Sequence, residues 1–407
     1  MMYAFIRLWA TIFLRIYFRK TIVYGREKVP AKAPLIVASN HPSAFLEASV
    51  LTSVMTRPIH FMVRGDMFHP KFKFLFKWTK QIPIYRKKDG IANLRKNAAS
   101  FDYTYKILSE GDSVLIFPEA KTVLEKKMRP IQRGTAHLAF GTLPFMKSGE
   151  ELFIQPVGVN FTEPRIPGTD VVLKFGEPFV VQNGSKEDRD AIEDFTAKLS
   201  DAMTSLIIQV DDGLEKKYDV VASIYLRMIY ENNPDADAHV DLQKIAGYIN
   251  HASPDDPGIK NVDSILNKLE SNKNPKAAYF PDIIILNRAG LVMMIFLKII
   301  WLVAGGWLWR VVRNTVFQKI KTETFQAPTT IGIFMVLMPL MVIILLIIFL
   351  VFGISIYFIL LWLFVMWLGS FIRAPLNLIW RILSMKSNDK LMLKGEILGL
   401  VRVYNSL

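Results

Sequence analysis

The chain has 407 residues, a net charge of +14, no cysteine and 51% hydrophobic residues, with a mean hydropathy of +0.27. That length allows two or three folded units, and the missing thiols exclude disulfides, thiolate catalysis and Cys-ligated metals. A basic balance suits nucleic acid or an anionic lipid surface. Because the apolar excess gathers near the C-terminus, a lipid bilayer is the simpler partner and no nucleic acid is expected.

Residues 1–20 read as an interfacial helix. Phe5, Leu8, Trp9, Ile12, Phe13 and Ile16 recur at helical spacing, and Arg15, Arg19 and Lys20 are placed to meet phosphates. Arg7 and Arg15 interrupt the apolar run and no small-residue cleavage site follows, so a cleaved signal is not expected. From 21 to 185 short β-rich runs (35–38, 59–63, 113–117, 153–159, 171–175) alternate with helical patterns around 48–55, 90–110 and 134–142. Such alternation predicts an α/β unit with a mixed, largely parallel sheet.

Residues 186–285 read as a helical connector, with an amphipathic helix over 188–210 and turn signals at Asn-Pro and Ser-Pro-Asp-Asp-Pro. His239 and His251 stand isolated there and read as surface residues rather than ligands. Residues 286–375 form a membrane region. Its first part, 289–309, is apolar except for Lys298 and ends with Trp307 and Trp309. It reads as an interfacial or re-entrant helix with Lys298 snorkelling, a span being the other option. The stretch 331–372 carries no charge. Its roughly forty residues suffice for two spans of about 20 each across a ~30 Å core. Gly353 and Ser355 are placed to make the turn of a transmembrane helical hairpin. Lys319 and Lys321 before it, and Arg373 and Arg381 after it, put both ends on the cytoplasmic side. Residues 376–407 form a basic amphipathic tail.

The chemistry gathers in the α/β part. The apolar run 34–39 leads into Asn40-His41-Pro42-Ser43-Ala44-Phe45-Leu46-Glu47. A histidine held by a carboxylate is a general base, the acid fixing the tautomer and stabilising the imidazolium. Gln81-Ile82-Pro83-Ile84-Tyr85-Arg86 follows, then Lys87 and Lys88, a cationic cluster suited to phosphate. A buried run ends in Phe117-Pro118-Glu119-Ala120-Lys121-Thr122, presenting an acid and a base side by side. Arg129-Pro130-Ile131-Gln132-Arg133-Gly134 adds positive charge at the start of a helix, where anions bind. Last comes the strand Ile154-Gln155-Pro156-Val157-Gly158-Val159.

This ordered set, NHPSAFLE, QIPIYR, FPEAK and IQPVGV, resembles the glycerophospholipid acyltransferases of the PlsC-like family, in particular the subgroup with C-terminal membrane helices. Lys174-Phe175-Gly176-Glu177-Pro178 resembles the family's closing strand, and the likeness covers roughly 24–180. It departs from the family in two places. The acid is Glu47, one position beyond the usual aspartate spacing, with an extra methylene to reach His41 if the loop allows. Ala120 replaces a glycine, and its methyl resists positive φ.

The resemblance implies an acyltransferase domain over 21–185 and a membrane-bound O-acyltransferase with its site facing the cytoplasm. The donor would be acyl-CoA or an acyl carrier protein thioester. The acceptor would be glycerol 3-phosphate, lysophosphatidic acid or an aminolipid with a free hydroxyl. His41 and Glu47 are then the catalytic pair, and Asn40, Arg86, Glu119, Lys121 and Arg133 the substrate-binding residues. No metal or cofactor is expected. The other reading is a catalytically weak lipid-binding or scaffolding membrane protein that keeps the fold.

Overall fold

The structure, a computed structural model, describes residues 2–67, 71, 73–85, 95–182, 184–233, 235–353, 355–370, 372 and 374–404. It forms two compact units. The first comprises Met1–Ile12, Val23–Asn160 and Val172–Ile208, and the second Phe13–Ile22, Phe161–Val171 and Gln209–Leu407.

The frame of the first unit is an eight-stranded sheet. Its strands are β1 (Thr21–Tyr24), β2 (Leu35–Ser39), β3 (His60–Arg64), β4 (Gln81–Ile84), β5 (Ser113–Ile116), β6 (Phe153–Phe161), β7 (Val171–Phe175) and β8 (Phe179–Val180). They lie in the order β1-β7-β6-β2-β5-β3-β4, with β8 on β6. β2 runs parallel to β5 and β6, and β3 parallel to β4 and β5, whereas β8 is antiparallel to β6. The sheet is mixed and mostly parallel, as the alternation predicts. Every residue of β2 is buried, which is why it reads as an unbroken apolar run. β1 and β8 are too short to carry a pattern of their own.

The helices of this unit are α1 (Met2–Tyr17, continuing into the second), α2 (Phe45–Val54), α3 (Lys73–Trp78), α4 (Lys96–Ser109), α5 (Gly134–Thr142) and α6 (Arg189–Thr204). The first residues of the helical pattern 90–110, up to 94, lie outside the described residues. Asp188 caps α6 by accepting the Ala191 N–H. α6 ends at Thr204, short of the expected 210. Ile192, Phe195, Leu199 and Met203 on its inner stripe join Ile36, Leu108 and Leu138 in one core. The last segment of the first unit accordingly runs to Ile208.

In the second unit α7 (Glu215–Ile224), α8 (Ala238–His251), α9 (Pro257–Ser271) and α10 (Pro281–Ile284) make a helical layer. His239 is not a surface residue, being only 2% exposed. It shares the inner stripe of α8 with Leu242, Ala246 and Ile249, a spacing of three and four residues. His251 is exposed.

The apolar helices follow: α11 (Arg288–Trp301), α12 (Trp307–Lys319), α13 (Glu323–Val351) and α14 (Ile356–Ser370). Among the described residues two helical stretches, Arg288–Lys319 and Glu323–Val351, are long and apolar enough to cross a membrane. The first is broken between α11 and α12, where Gly305 takes φ 138°. The second begins eight residues before the uncharged stretch and tolerates Pro328 and Pro339. Gly353, at φ 66°, turns the chain toward α14. Lys298 does not snorkel. It is buried, its Nζ donating to the Ile372 carbonyl at 2.5 Å and lying over the Trp301 ring. A lone ammonium between apolar helices is held by the carbonyl and ring faces nearest to it. The tail forms α15 (Leu376–Ser384) and α16 (Ser387–Tyr404).

Candidate active site

Strand register builds the site. Ala38 of β2 stands opposite Ile116 of β5 and Pro156 of β6. The chain therefore leaves β2 and β5 side by side at their carboxyl ends, where open α/β sheets meet ligands. Asn40 follows β2 and is buried. Its side-chain amide donates to the Val159 carbonyl at 3.0 Å and accepts the Val159 N–H at 2.8 Å. Asn40 thus extends the β2–β6 pairing with a side chain, and both its polar atoms are used by the protein.

His41 comes next. Ala44, at φ 48° and ψ −115°, turns the chain into α2 so that Glu47 falls in the first helical turn. That backbone is strained for a residue with a Cβ. Glu47 is fully buried. Its Oε1 meets His41 Nδ1 at 2.5 Å and accepts the Ser43 N–H at 3.1 Å. Burial pushes the Glu47 carboxyl above the usual carboxylate range, while the His41 bond pulls the other way. The helix N-terminus also favours its charge. With Nδ1 held, Nε2 is the ring nitrogen left to take a proton. Phe117, just past β5, stacks flat on the His41 ring, centroids 4.0 Å apart and planes at 10°.

The loop after β5 closes the group from the other side. Glu119 is buried, and its Oε2 accepts the His41 backbone N–H at 3.0 Å. The Arg129 guanidinium pairs with the same carboxylate. It also donates to the Lys121 carbonyl at 2.8 Å and approaches the His41 carbonyl at 3.4 Å. The Arg129 N–H reaches Glu119 Oε1 at 3.3 Å, and Gln132 N–H donates to the Pro118 carbonyl at 2.8 Å. Arg129 therefore latches the turn after β2 to the loop after β5. Ala120, where the family carries glycine, sits at φ 55°.

The structure brings Asn40, His41, Glu47 and Glu119 into one group, and the backbone of Lys121 joins it through Arg129. The Lys121 side chain is exposed. Arg133 is not drawn in, since its guanidinium pairs with Glu193 on α6 at 2.8 Å. Arg86 lies outside the described residues. Arg129 and Phe117 are the members that pattern reading passes over, one as a cation in a basic stretch and the other as the last residue of an apolar run. Ser43 Oγ and Glu47 Oε2 are buried with no hydrogen-bond partner among the described residues. Among the described residues no group of His, Asp or Glu is arranged to hold a metal ion.

Part of the chain is similar to known proteins. Residues 20–160 match the family model described as Acyltransferase. A probable 1-acyl-sn-glycerol-3-phosphate acyltransferase of Mycoplasma pneumoniae is 30% identical over 138 residues, covering 32% of this chain and 48% of that one. An uncharacterized acyltransferase of Schizosaccharomyces pombe is 29% identical over 129 residues, covering 29% of this chain and 19% of that one. The crystal structure of the lysophosphatidic acid acyltransferase PlsC from Thermotoga maritima superposes with a TM-score of 0.38 at 15% identity, covering 50% of this chain and 78% of that one. The chain thus spans about half or less of the length of these curated relatives. The segment that matches the Acyltransferase model, 20–160, holds every residue of the site.

Proposed function

We propose that the chain transfers a fatty acyl group from a thioester, acyl-CoA or acyl carrier protein, to a hydroxyl of glycerol 3-phosphate or lysophosphatidic acid. The observation that carries this reading is the His41 Nδ1–Glu47 Oε1 contact of 2.5 Å at the carboxyl end of β2. In this mechanism His41 Nε2 takes the acceptor's hydroxyl proton as that oxygen attacks the thioester carbonyl. The C–S bond breaks and the leaving thiolate receives the proton from the imidazolium. Glu47 stabilises the imidazolium between those steps. Glu119 and Arg129 act by holding the His41 backbone, while Lys121 and Arg86 supply charge for the acceptor's phosphate. The hydroxyl nucleophile comes from the substrate, so positioning and proton transfer carry the rate.

The long apolar helices support a membrane location, with the site on the cytoplasmic side where thioester donors are made. The test is a substrate panel on the full chain in detergent. Labelled acyl-CoA and acyl carrier protein thioester are each offered with glycerol 3-phosphate, lysophosphatidic acid or an aminolipid. Labelled ester on a glycerophosphate acceptor is expected. Product confined to the aminolipid, or none from any pair, contradicts the proposal.

A further inference from the structure

The residues just after β5 meet His41 at two points. The Ala120 N–H donates to the Phe117 carbonyl at 3.1 Å, which closes Phe117-Pro118-Glu119-Ala120 into a turn. Pro118 presets the second position of that turn, and the Gln132 N–H holds the Pro118 carbonyl at 2.8 Å. The turn delivers the Glu119 carboxylate to the His41 backbone N–H and the Phe117 ring to the imidazole.

The second contact constrains what the first cannot. The Glu47 Oε1 contact holds the imidazole at Nδ1, and a ring held by one such bond can still turn about it. Phe117 removes that freedom, because its ring lies flat on the imidazole, with centroids 4.0 Å apart and planes at 10°. Two neutral rings favour offset or edge-to-face contacts at about 4.5–7 Å. Phe140 and Phe179 meet Phe195 in that way, at 63° and 60°. The close, flat stack on His41 suits a ring that becomes a cation, since an aromatic face is negative and attracts positive charge. Core filling does not account for it. Ile116, one residue earlier, packs against the core of the unit, whereas Phe117 is only half-buried.

We propose that Phe117 is a positioning residue of the acyl transfer. Its ring fixes the imidazole plane, so that Nε2 stays aimed at the acceptor hydroxyl. Its π face then steadies the imidazolium while His41 holds the proton. This role presupposes that His41 is the base.

The full chain in detergent is assayed with one thioester and one glycerophosphate acceptor, as Phe117→Leu, as Phe117→Tyr, and with pentafluorophenylalanine in place of Phe117. Leucine keeps apolar bulk and removes the flat face. Tyrosine keeps the face, and fluorination keeps the shape while reversing the charge on it. Phe117→Leu is expected to lower kcat by about 10–10²-fold, with both KM values within about twofold of native. Phe117→Tyr should keep most of the native rate, and the fluorinated ring should fall between native and leucine. In a His41→Ala background, Phe117→Leu should lower turnover no further, because it acts through His41. Melting curves show that each chain is folded; if leucine unfolds it, the fluorinated ring of native shape decides. A native kcat for Phe117→Leu or for the fluorinated ring overturns the proposal. So does a change confined to KM, or an equal loss with and without His41. A His41→Ala chain that turns over at the native rate removes the base itself, which tells that failure apart from a failure of Phe117.

Discussion

At the scale of the residue, Glu47 decides how the site responds to pH. Its carboxyl is raised in the folded state above the ordinary 4.5 by burial, with the His41 bond opposing. The folded chain therefore binds this proton more tightly than the unfolded chain. The stability that follows is fully present below 4.5 and is lost as the pH climbs through the raised folded value. Glu47→Gln removes the titration. The melting temperature of the native chain relative to this variant should fall as the pH rises from 4.5; a difference that stays flat contradicts the burial argument. Ala120 offers a second test. Its φ of 55° is strained for alanine. The left-handed conformation costs about 1–2 kcal/mol, and glycine's extra chain entropy takes back about 0.5–1 kcal/mol. Ala120→Gly should thus stabilise by roughly 0.5–1 kcal/mol in denaturant melts, and a destabilised variant would show that the methyl makes a contact outweighing the strain. The departure at 120 was legible in the sequence, since a β-carbon stands where the family has none. That the chain adopts positive φ there all the same had to come from the structure.

At the scale of the element, two loops leaving neighbouring parallel strands are held by one cation. Arg129→Met would leave the Glu119 carboxylate buried beside the His41 N–H without its counter-charge, a loss of about 3–5 kcal/mol. Adding Glu119→Gln removes the stranded charge, so the double variant should be more stable than Arg129→Met alone. Additive losses in chemical denaturation would mean that the two side chains do not act as a pair. Five of the eight strands could be read from short β-rich runs, and the site's segments from the turns that end them. Arg129 could not be singled out this way. Several cations crowd 121–133, and only the fold decides which of them faces Glu119. The same blindness hid the Arg133–Glu193 pair, which joins residues sixty apart in sequence, and the two bonds from Asn40 to Val159, which cross from β2 to β6. His239 was misplaced because a lone polar residue within a charged segment gives no sign of which helical face it occupies.

At the scale of the whole molecule, a segment that matches the Acyltransferase model shares its chain with long apolar helices. The uncharged stretch announced those helices, but their lengths did not follow from composition. α13 has 29 residues and α14 has 15, so the arms come to about 43 Å and about 22 Å at 1.5 Å per residue, against a hydrocarbon core of ~30 Å. The full chain should stay with membranes through high salt and alkaline carbonate and leave only with detergent; release by carbonate would rule out a spanning helix. The central claim remains that His41, held by Glu47, is the base of an acyl transfer. The most direct measurement compares turnover of the native chain with His41→Ala on one thioester and one glycerophosphate acceptor, with both proteins shown to be folded by their melting curves. A fall of about 10²–10⁴-fold is predicted. Turnover within a fewfold of the native rate would contradict it and place the chemistry elsewhere.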